Sequence, residues 1–369
     1  MPAPMRFRDD VPTPALLLDL DRFEANVTRM TGFLRERGKA FRPHGKTHKC
    51  PEIARRLIAA GAVGVCTARL SEAEVFAAHG IRGLLITTAV VGAGKIERAL
   101  ELARIAPDTI FIVESEQNVS DLSDAAGRFP GVEVNLAVDL HFGRTGISPG
   151  APALDLTRFI TRQPRVRFVG LQSYDGTAAH TAPFDARRTR TSGSMKQAVE
   201  TRRMIERAGI ACPLVTGGST GTYRIDAEID GVTEIQPGSF IFMDMEYGQI
   251  SGPDNTDYRD FEQALTVVAT VISRRPGLAI VDAGYKAFAT DRPFTPVAVD
   301  LPGAVYSWAG DEHGRLELTK VDRDVRVGDR LEFVPPHCDP TVNLYDQIHA
   351  LRGNVVEAVW PIAARGKSQ

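Results

Sequence analysis

Phe41-Arg42-Pro43-His44-Gly45-Lys46-Thr47-His48-Lys49 is the stretch on which the reading of this chain turns. It gathers Arg42, His44, Lys46, His48 and Lys49 between two amphipathic segments, 21–38 and 51–61, that the spacing of apolar residues predicts as helices. Read as a strand and its end, the stretch puts Arg42, His44 and Lys46 at one parity, so they project to one side. A lysine is ordinarily a solvated surface residue. Here its cationic neighbours would push the amine toward the neutral, nucleophilic form that covalent amine catalysis needs.

Outward from this stretch, strand and helix patterns alternate. Strand candidates fall at 40–44, 64–67, 83–87, 109–113, 132–138, 166–173, 213–216 and 233–237, preceded by a short apolar strand over 12–20. Amphipathic helices are predicted over 69–79, 94–106, 116–129 and 194–208. This alternation argues for a closed (β/α)8 barrel of the TIM type. A doubly wound open sheet is the rival, but no Gly-x-Gly-x-x-Gly fingerprint opens the chain. After about residue 260 the pattern changes. Strand-like runs at 262–274, 278–281, 297–299, 316–320, 330–334 and 355–360 are separated by turn signals such as Pro276-Gly277 and Pro302-Gly303. Long helical patterns are missing there, so a second, all-β domain is expected.

The length of 369 residues suits a barrel of about 250 residues plus a smaller domain. The net charge of −2 gives no electrostatic reason to expect nucleic acid or an acidic membrane surface as partner. Met1–Asp10 lacks the apolar core and cleavage site of a signal peptide. Cys50, Cys66, Cys212 and Cys338 have no paired spacing, so a reducing cytoplasm without a disulfide framework is expected.

Five further stretches can carry chemistry. Thr216-Gly217-Gly218-Ser219-Thr220-Gly221-Thr222 follows the seventh barrel strand, where barrels commonly hold phosphate. Its glycines let backbone N–H groups approach an anion, and its hydroxyls add donors. Gln236-Pro237-Gly238-Ser239 follows the eighth strand, and either turns the chain out of the barrel or lies beside the same anion. Asp139-Leu140-His141-Phe142-Gly143-Arg144-Thr145-Gly146 offers Arg144 at the end of the fifth strand. Tyr174 ends the sixth, with His180 a little further on. In Pro335-Pro336-His337-Cys338-Asp339-Pro340, His337 and Asp339 share parity on an extended segment and could both face one ion.

Arg42-Pro43-His44-Gly45-Lys46-Thr47-His48-Lys49 resembles the pyridoxal-phosphate lysine motif of the D-threonine aldolase and D-serine dehydratase family, whose members share an alanine-racemase-like fold. The resemblance covers nearly the whole chain. It implies that Lys46 carries pyridoxal 5'-phosphate with His44 beside it. Lys49, of opposite parity, is the fallback. It implies that Gly218, Ser219 and Thr220 contact the phosphate, that Arg144 faces the phenolic oxygen, and that Tyr174 lies toward the ring nitrogen. His337 and Asp339 become a metal pair, for Mn²⁺ or Mg²⁺ in preference to Zn²⁺ or Co²⁺, with Cys338 pointing away. The implied organisation is an N-terminal strand (1–20) joining the β domain, a cofactor-binding barrel (21–260) and a β domain carrying the metal (261–369), in a homodimer.

The expected activity is retro-aldol cleavage of D-3-hydroxy amino acids, D-threonine-like in type, to glycine and an aldehyde. Asp339 favours it, because the dehydratase branch has a cysteine at that spacing. Dehydration of D-serine or D-3-hydroxyaspartate to a 2-oxo acid and ammonia is the alternative. A racemase would leave the His337/Asp339 pair unexplained, and a non-catalytic pyridoxal-phosphate carrier would not need the β domain. A substrate with a 3-carboxylate would need a further cation, for which Arg144, His141, His180 and Lys286 are candidates.

Overall fold

The computed structural model describes residues 6–369, so the first five positions of the 1–20 segment lie outside the described residues. The chain opens with β1 (Ala15–Asp19) and α1 (Leu20–Glu36). Asp19 caps α1 by accepting a hydrogen bond from the Arg22 N–H, and Phe23, Val27, Met30 and Leu34 form the helix's buried face. Then follow β2 (Ala40–Phe41), α2 (Pro51–Ala59), β3 (Val65–Thr67), α3 (Leu70–Ala78), β4 (Leu84–Ile86), α4 (Ala93–Ile105), β5 (Ile110–Val113) and α5 (Glu116–Ala126). The alternation continues through β6 (Val134–Leu140), α6 (Ala151–Arg162), β7 (Val166–Ser173), α7 (Phe184–Arg207), β8 (Leu214–Gly217), α8 (Tyr223–Ala227) and β9 (Glu234–Ile235).

Strands β2 to β9 form an eight-stranded parallel sheet in the order β2-β9-β8-β7-β6-β5-β4-β3. The two ends of that order meet. His44 bridges Cys66 in parallel, the Cys66 N–H donates to the Pro43 carbonyl at 2.9 Å, and the Gly45 N–H donates to the Cys66 carbonyl at 2.7 Å. The turn that carries Lys46 therefore begins at the seam of the barrel. All seven residues of β6 are buried, as expected for a parallel strand covered on both faces.

The second sheet is built from β10 (Leu265–Arg275), β11 (Leu278–Val281), β12 (Val297–Ala298), β13 (Val305–Trp308), β14 (Gly314–Glu317), β15 (Arg330–Val334), β16 (Gln347–Arg352) and β17 (Val355–Pro361), with the short α9 (Cys338–Val342) before β16. Strand β1 lies inside this sheet. Leu16 pairs with Val267 of antiparallel β10 on one side and with Ile348 of parallel β16 on the other. The first four residues of β1 are all buried, which accounts for its unbroken apolar run. No helix among the described residues is long and apolar enough to cross a membrane.

The structure corrects the sequence reading at several points. Strand β2 ends at Phe41, and residues 45–48 form a turn, so two-residue periodicity does not carry through to Lys46. Arg42 does not share a direction of use with His44 and Lys46: it is buried against Glu234, with Nη2 2.9 Å from Oε2. Helix α7 begins at Phe184, ten residues before the predicted start. Its first half, rich in Arg, Thr, Ser and Gly, has weak helical patterning, and tertiary contacts hold it. The buried Arg187 donates to the carbonyls of Thr181 at 2.6 Å and Gly221 at 2.8 Å. Strands β13 and β16 were not foreseen, and α9 replaces the extended segment expected at His337–Asp339.

Arg42 and Glu234 form a buried pair that a third group completes, since Thr216 Oγ1 donates to Glu234 Oε1 at 2.6 Å. Removing one charge strands the other in the interior. Glu234→Gln is expected to destabilise the protein by roughly 3–5 kcal/mol, read as a lowered urea midpoint.

Candidate active site

One cavity of about 370 Å³ opens at the C-terminal ends of the barrel strands, where barrels carry their chemistry. Its wall contains His44 and Lys46 from the turn after β2, Arg144 from beyond β6, and Tyr174 from beyond β7. Gly218, Ser219 and Thr220 come from beyond β8, and Gln236, Gly238 and Ser239 from beyond β9. Side chains read from separate stretches of sequence thus meet at one place.

Lys46 lies deep in the protein, yet 42% of its side-chain surface is open to this cavity. Its Nζ is 3.1 Å from Asp339 Oδ2, on the first turn of α9. The expectation that cationic neighbours neutralise Lys46 is therefore overturned. The Asp339 carboxylate outweighs burial and holds the amine charged, above the usual lysine range. Burial alone would raise the Asp339 carboxyl, but Lys46 and His337 hold it well below the carboxylate range. Burial, and next Lys46, push the His44 imidazole well below its usual value, so it is neutral. Its tautomer follows from its partners. His44 Nδ1 accepts from the Lys46 N–H at 3.4 Å, which leaves the proton on Nε2, 3.2 Å from Thr87 Oγ1. Lys49 is committed elsewhere: it forms a buried ion pair with Glu72 and does not line the cavity.

The loop after β8 is tightly built. Gly218 has φ +77°, and an added Cβ would stand 2.3 Å from Asp226 Oδ2, so only glycine fits. Ser219 N–H donates to Thr222 Oγ1 at 2.9 Å, and Thr220 Oγ1 accepts from the Phe240 N–H at 3.0 Å. Gly238 approaches from the other side; a Cβ there would meet Thr47 Oγ1 at 2.5 Å. Arg144 is exposed, and its guanidinium lies 5.4 Å from the centre of the Tyr174 ring. Beneath them Gln172 Nε2 donates to Asp139 Oδ1 at 3.0 Å, while Gln172 Oε1 is buried without a partner.

His337 caps α9, and its side chain points to a different set of groups. Its Nδ1 is 2.8 Å from Asp291 Oδ2, and its Nε2 is 3.9 Å from Glu246 Oε2. Glu246 also lies 3.6 Å from His180 Nδ1 and pairs with Arg292. Among the described residues no cluster of three or more His, Cys, Asp or Glu side chains is already gathered around one point. Cys338 is fully buried, and burial pushes its thiol well up.

The cavity fits pyridoxal phosphate on its own features: an amine open to it, a glycine-tight hydroxyl loop, a free guanidinium, and no carboxylate among the lining residues. His337 Nε2 and Glu246 Oε2, the latter buried without a hydrogen-bond partner, offer nitrogen and oxygen donors 3.9 Å apart, while Asp339 is turned to Lys46, so a divalent cation held by His337 and Asp339 would have to displace the lysine. The sequence reading missed Arg69, Thr87 and Tyr247 in the cavity wall, and Glu246 and Asp291 beside His337. No motif marks them, since they come from loops whose positions are set by the fold. Of the cations offered for a 3-carboxylate, Lys286 is exposed and paired with Glu312 at 2.6 Å, and His141 is turned to the Thr145 carbonyl at 3.1 Å.

Lys46→Ala is expected to abolish the visible absorbance of covalently held cofactor. Lys49→Met is expected to retain that band and instead to lower thermal stability, because Glu72 loses its buried partner.

Residues 18–246 match the alanine racemase N-terminal domain family, and residues 264–351 match a serine dehydratase domain family. The chain is 38% identical to a D-threonine aldolase of Arthrobacter sp., over 97% of this chain and 94% of that protein. It is 35% identical to a 3-hydroxy-D-aspartate aldolase of Paracoccus denitrificans, over 97% of this chain and 93% of the relative. The crystal structure of D-threonine aldolase from Filomicrobium marinum superposes with a TM-score of 0.93 at 38% identity, covering 100% of this chain and 99% of the other. With a lysine-centred barrel cavity, and with likeness of this extent in both sequence and shape, the chain belongs to the D-threonine aldolase and D-serine dehydratase family of the alanine racemase fold.

Proposed function

We propose that this chain is a pyridoxal-phosphate-dependent, divalent-metal-requiring lyase that cleaves D-3-hydroxy amino acids between Cα and Cβ, giving glycine and an aldehyde. The observation that carries the reading is the meeting of Lys46 and Asp339 at 3.1 Å, with His337 two residues away on the same helix end. Bound at Lys46, the cofactor supplies a conjugated ring that takes up the electron pair left on Cα. A divalent ion at His337 and Asp339 supplies Lewis acidity toward the substrate's 3-hydroxyl.

The chain's own residues do the rest. Ser219, Thr220 and the Gly218 backbone hold the phosphate. Arg144 would hold the phenolic oxygen as the anion, and Tyr174 would stand toward the ring nitrogen. Burial lowers the pKa of His180, so it is a neutral base at pH 7. Its ring lies 4.7 Å from that of the cavity residue Tyr247; from there it would take the proton of the 3-hydroxyl, and Glu246, 3.6 Å from Nδ1, would stabilise the resulting imidazolium. Asp339, not a cysteine, stands two residues after His337, which supports the carboxylate ligand of an aldolase over the thiolate ligand of a dehydratase. The functional unit is a homodimer, and a single-chain sedimentation mass would contradict this.

Lys46, Arg69 and Arg144 are the lysine and arginine residues in the cavity wall. Lys46 and Arg144 have roles toward the cofactor, while Arg69 is exposed and its guanidinium engages no side chain among those described. Arg69 is placed to receive a second carboxylate. Its replacement by Gln is expected to lower kcat/KM for D-3-hydroxyaspartate about tenfold, the worth of one hydrogen bond to a charged group, and to leave D-threonine little changed.

Product analysis tests the main reading. D-threonine with Mn²⁺ is expected to yield glycine and acetaldehyde, L-threonine to be inert, and a chelator to stop turnover. A 2-oxo acid and ammonia would establish the dehydratase instead.

A further inference from the structure

Under the phosphate loop lies a carboxyl that the reaction does not use. Asp226, on α8, is fully buried, and its Oδ1 has no hydrogen-bond partner. Its Oδ2 is 2.5 Å from Thr222 Oγ1. That hydroxyl also accepts from the Ser219 N–H at 2.9 Å and lies 3.0 Å from Ser219 Oγ. Three side chains thus form a chain of hydrogen bonds ending at Ser219, which lines the cavity.

The direction of this chain depends on where one proton sits. An ionised Asp226 can only accept, so Thr222 must give its single proton to Asp226. Ser219 then turns its own proton back to Thr222 and shows only lone pairs to the cavity. A protonated Asp226 donates to Thr222, Thr222 donates to Ser219 Oγ, and the Ser219 proton is free to point outward. Only the second arrangement suits an anion. We propose that Asp226 is a positioning residue that works as a neutral acid, setting the polarity of the Asp226–Thr222–Ser219 relay so that Ser219 donates to the cofactor phosphate. This rests on the reading that the Gly218–Thr220 loop takes that phosphate.

The surroundings favour the neutral form. A buried carboxylate with one hydrogen bond and one orphaned oxygen is costly, and no lysine, arginine or histidine among the described residues pairs with it. Burial pushes its pKa up to about 7, with the Thr222 hydrogen bond opposing. The titratable groups that share the small void of about 10 Å³ beside it are Tyr174 and Asp175. Asp175 is held by Arg190 at 2.9 Å, and the other walls contribute Thr191, Ser194 and Met195 of α7. Binding that selects the protonated form is strongest below the pKa of Asp226 and weakens as pH rises through it.

The test measures affinity of the apoprotein for pyridoxamine 5'-phosphate, which cannot bond covalently to Lys46, against unphosphorylated pyridoxamine, by calorimetry from pH 6 to pH 9. The Asp226→Asn side chain donates to Thr222 at every pH. The ligand's own titration affects both proteins equally, so the comparison isolates Asp226. Wild-type affinity is expected to fall about tenfold relative to Asp226→Asn across that range, the worth of one hydrogen bond to an anion. Ser219→Ala, which keeps Asp226, is expected to lose this pH-dependent fall and serves if the Asn variant does not fold. Phosphate-selective binding with the same pH profile in wild type and Asp226→Asn, or with the fall intact in Ser219→Ala, would overturn the relay. Equal affinity for the phosphorylated and unphosphorylated ligands would instead overturn the phosphate reading of the loop, and the relay with it.

Discussion

The ion pair between Lys46 and Asp339 joins the two sheets beside the barrel cavity that Lys46 lines. Lys46 belongs to the barrel's first turn and Asp339 to a helix of the second sheet, so neither sheet makes the site alone. The pair also fixes charge. It keeps the amine protonated and the carboxylate ionised, so on the proposed reading cofactor attachment would have to draw the proton from Lys46 and leave Asp339 free for another cation. On the proposed reading a metal would take the lysine's place, and loading of cofactor and metal would be coupled through one carboxylate.

Around that pair the remaining polar groups are ordered by burial. His44 and His180 are kept neutral by desolvation. Arg42 is buried too but is paired with Glu234, to which Thr216 also donates, so its charge serves the barrel interior and not the site. A short run of cationic residues is thus divided by geometry: Arg42 to the core, Lys46 to the cavity, Lys49 to Glu72.

The barrel was legible because its strands are short apolar runs set between amphipathic helices, and that pattern needs no tertiary information. The site was legible where chemistry demanded particular types: the lysine, the glycine-tight loop, the arginine beyond β6. What escaped was decided by packing at a distance. Helix α7 is anchored through Arg187, which no local propensity signals. Helix α9 broke the extended reading of His337 and Asp339 and gave them different neighbours. Arg69, Glu246 and Asp291 reach the site from loops, and loop positions are fixed by the frame they connect.

The pairing of β1 has a consequence for how the chain is made. Ala15–Leu18 pairs with residues 265–268 on one side, and Leu16–Asp19 with Ile348–Leu351 on the other. During synthesis the first strand emerges as a sticky apolar ribbon with nothing to pair with, while the barrel behind it can already close. It acquires its second neighbour only when almost all of the chain has left the ribosome. Contacts of such long sequence separation form late, and an unpaired apolar strand is exposed to wrong partners in the meantime. The N-terminal ribbon acts as a clasp: it locks the second sheet only after the helix bearing Asp339 has been made, so a chain cut short before that helix loses the closure as well as the partner of Lys46.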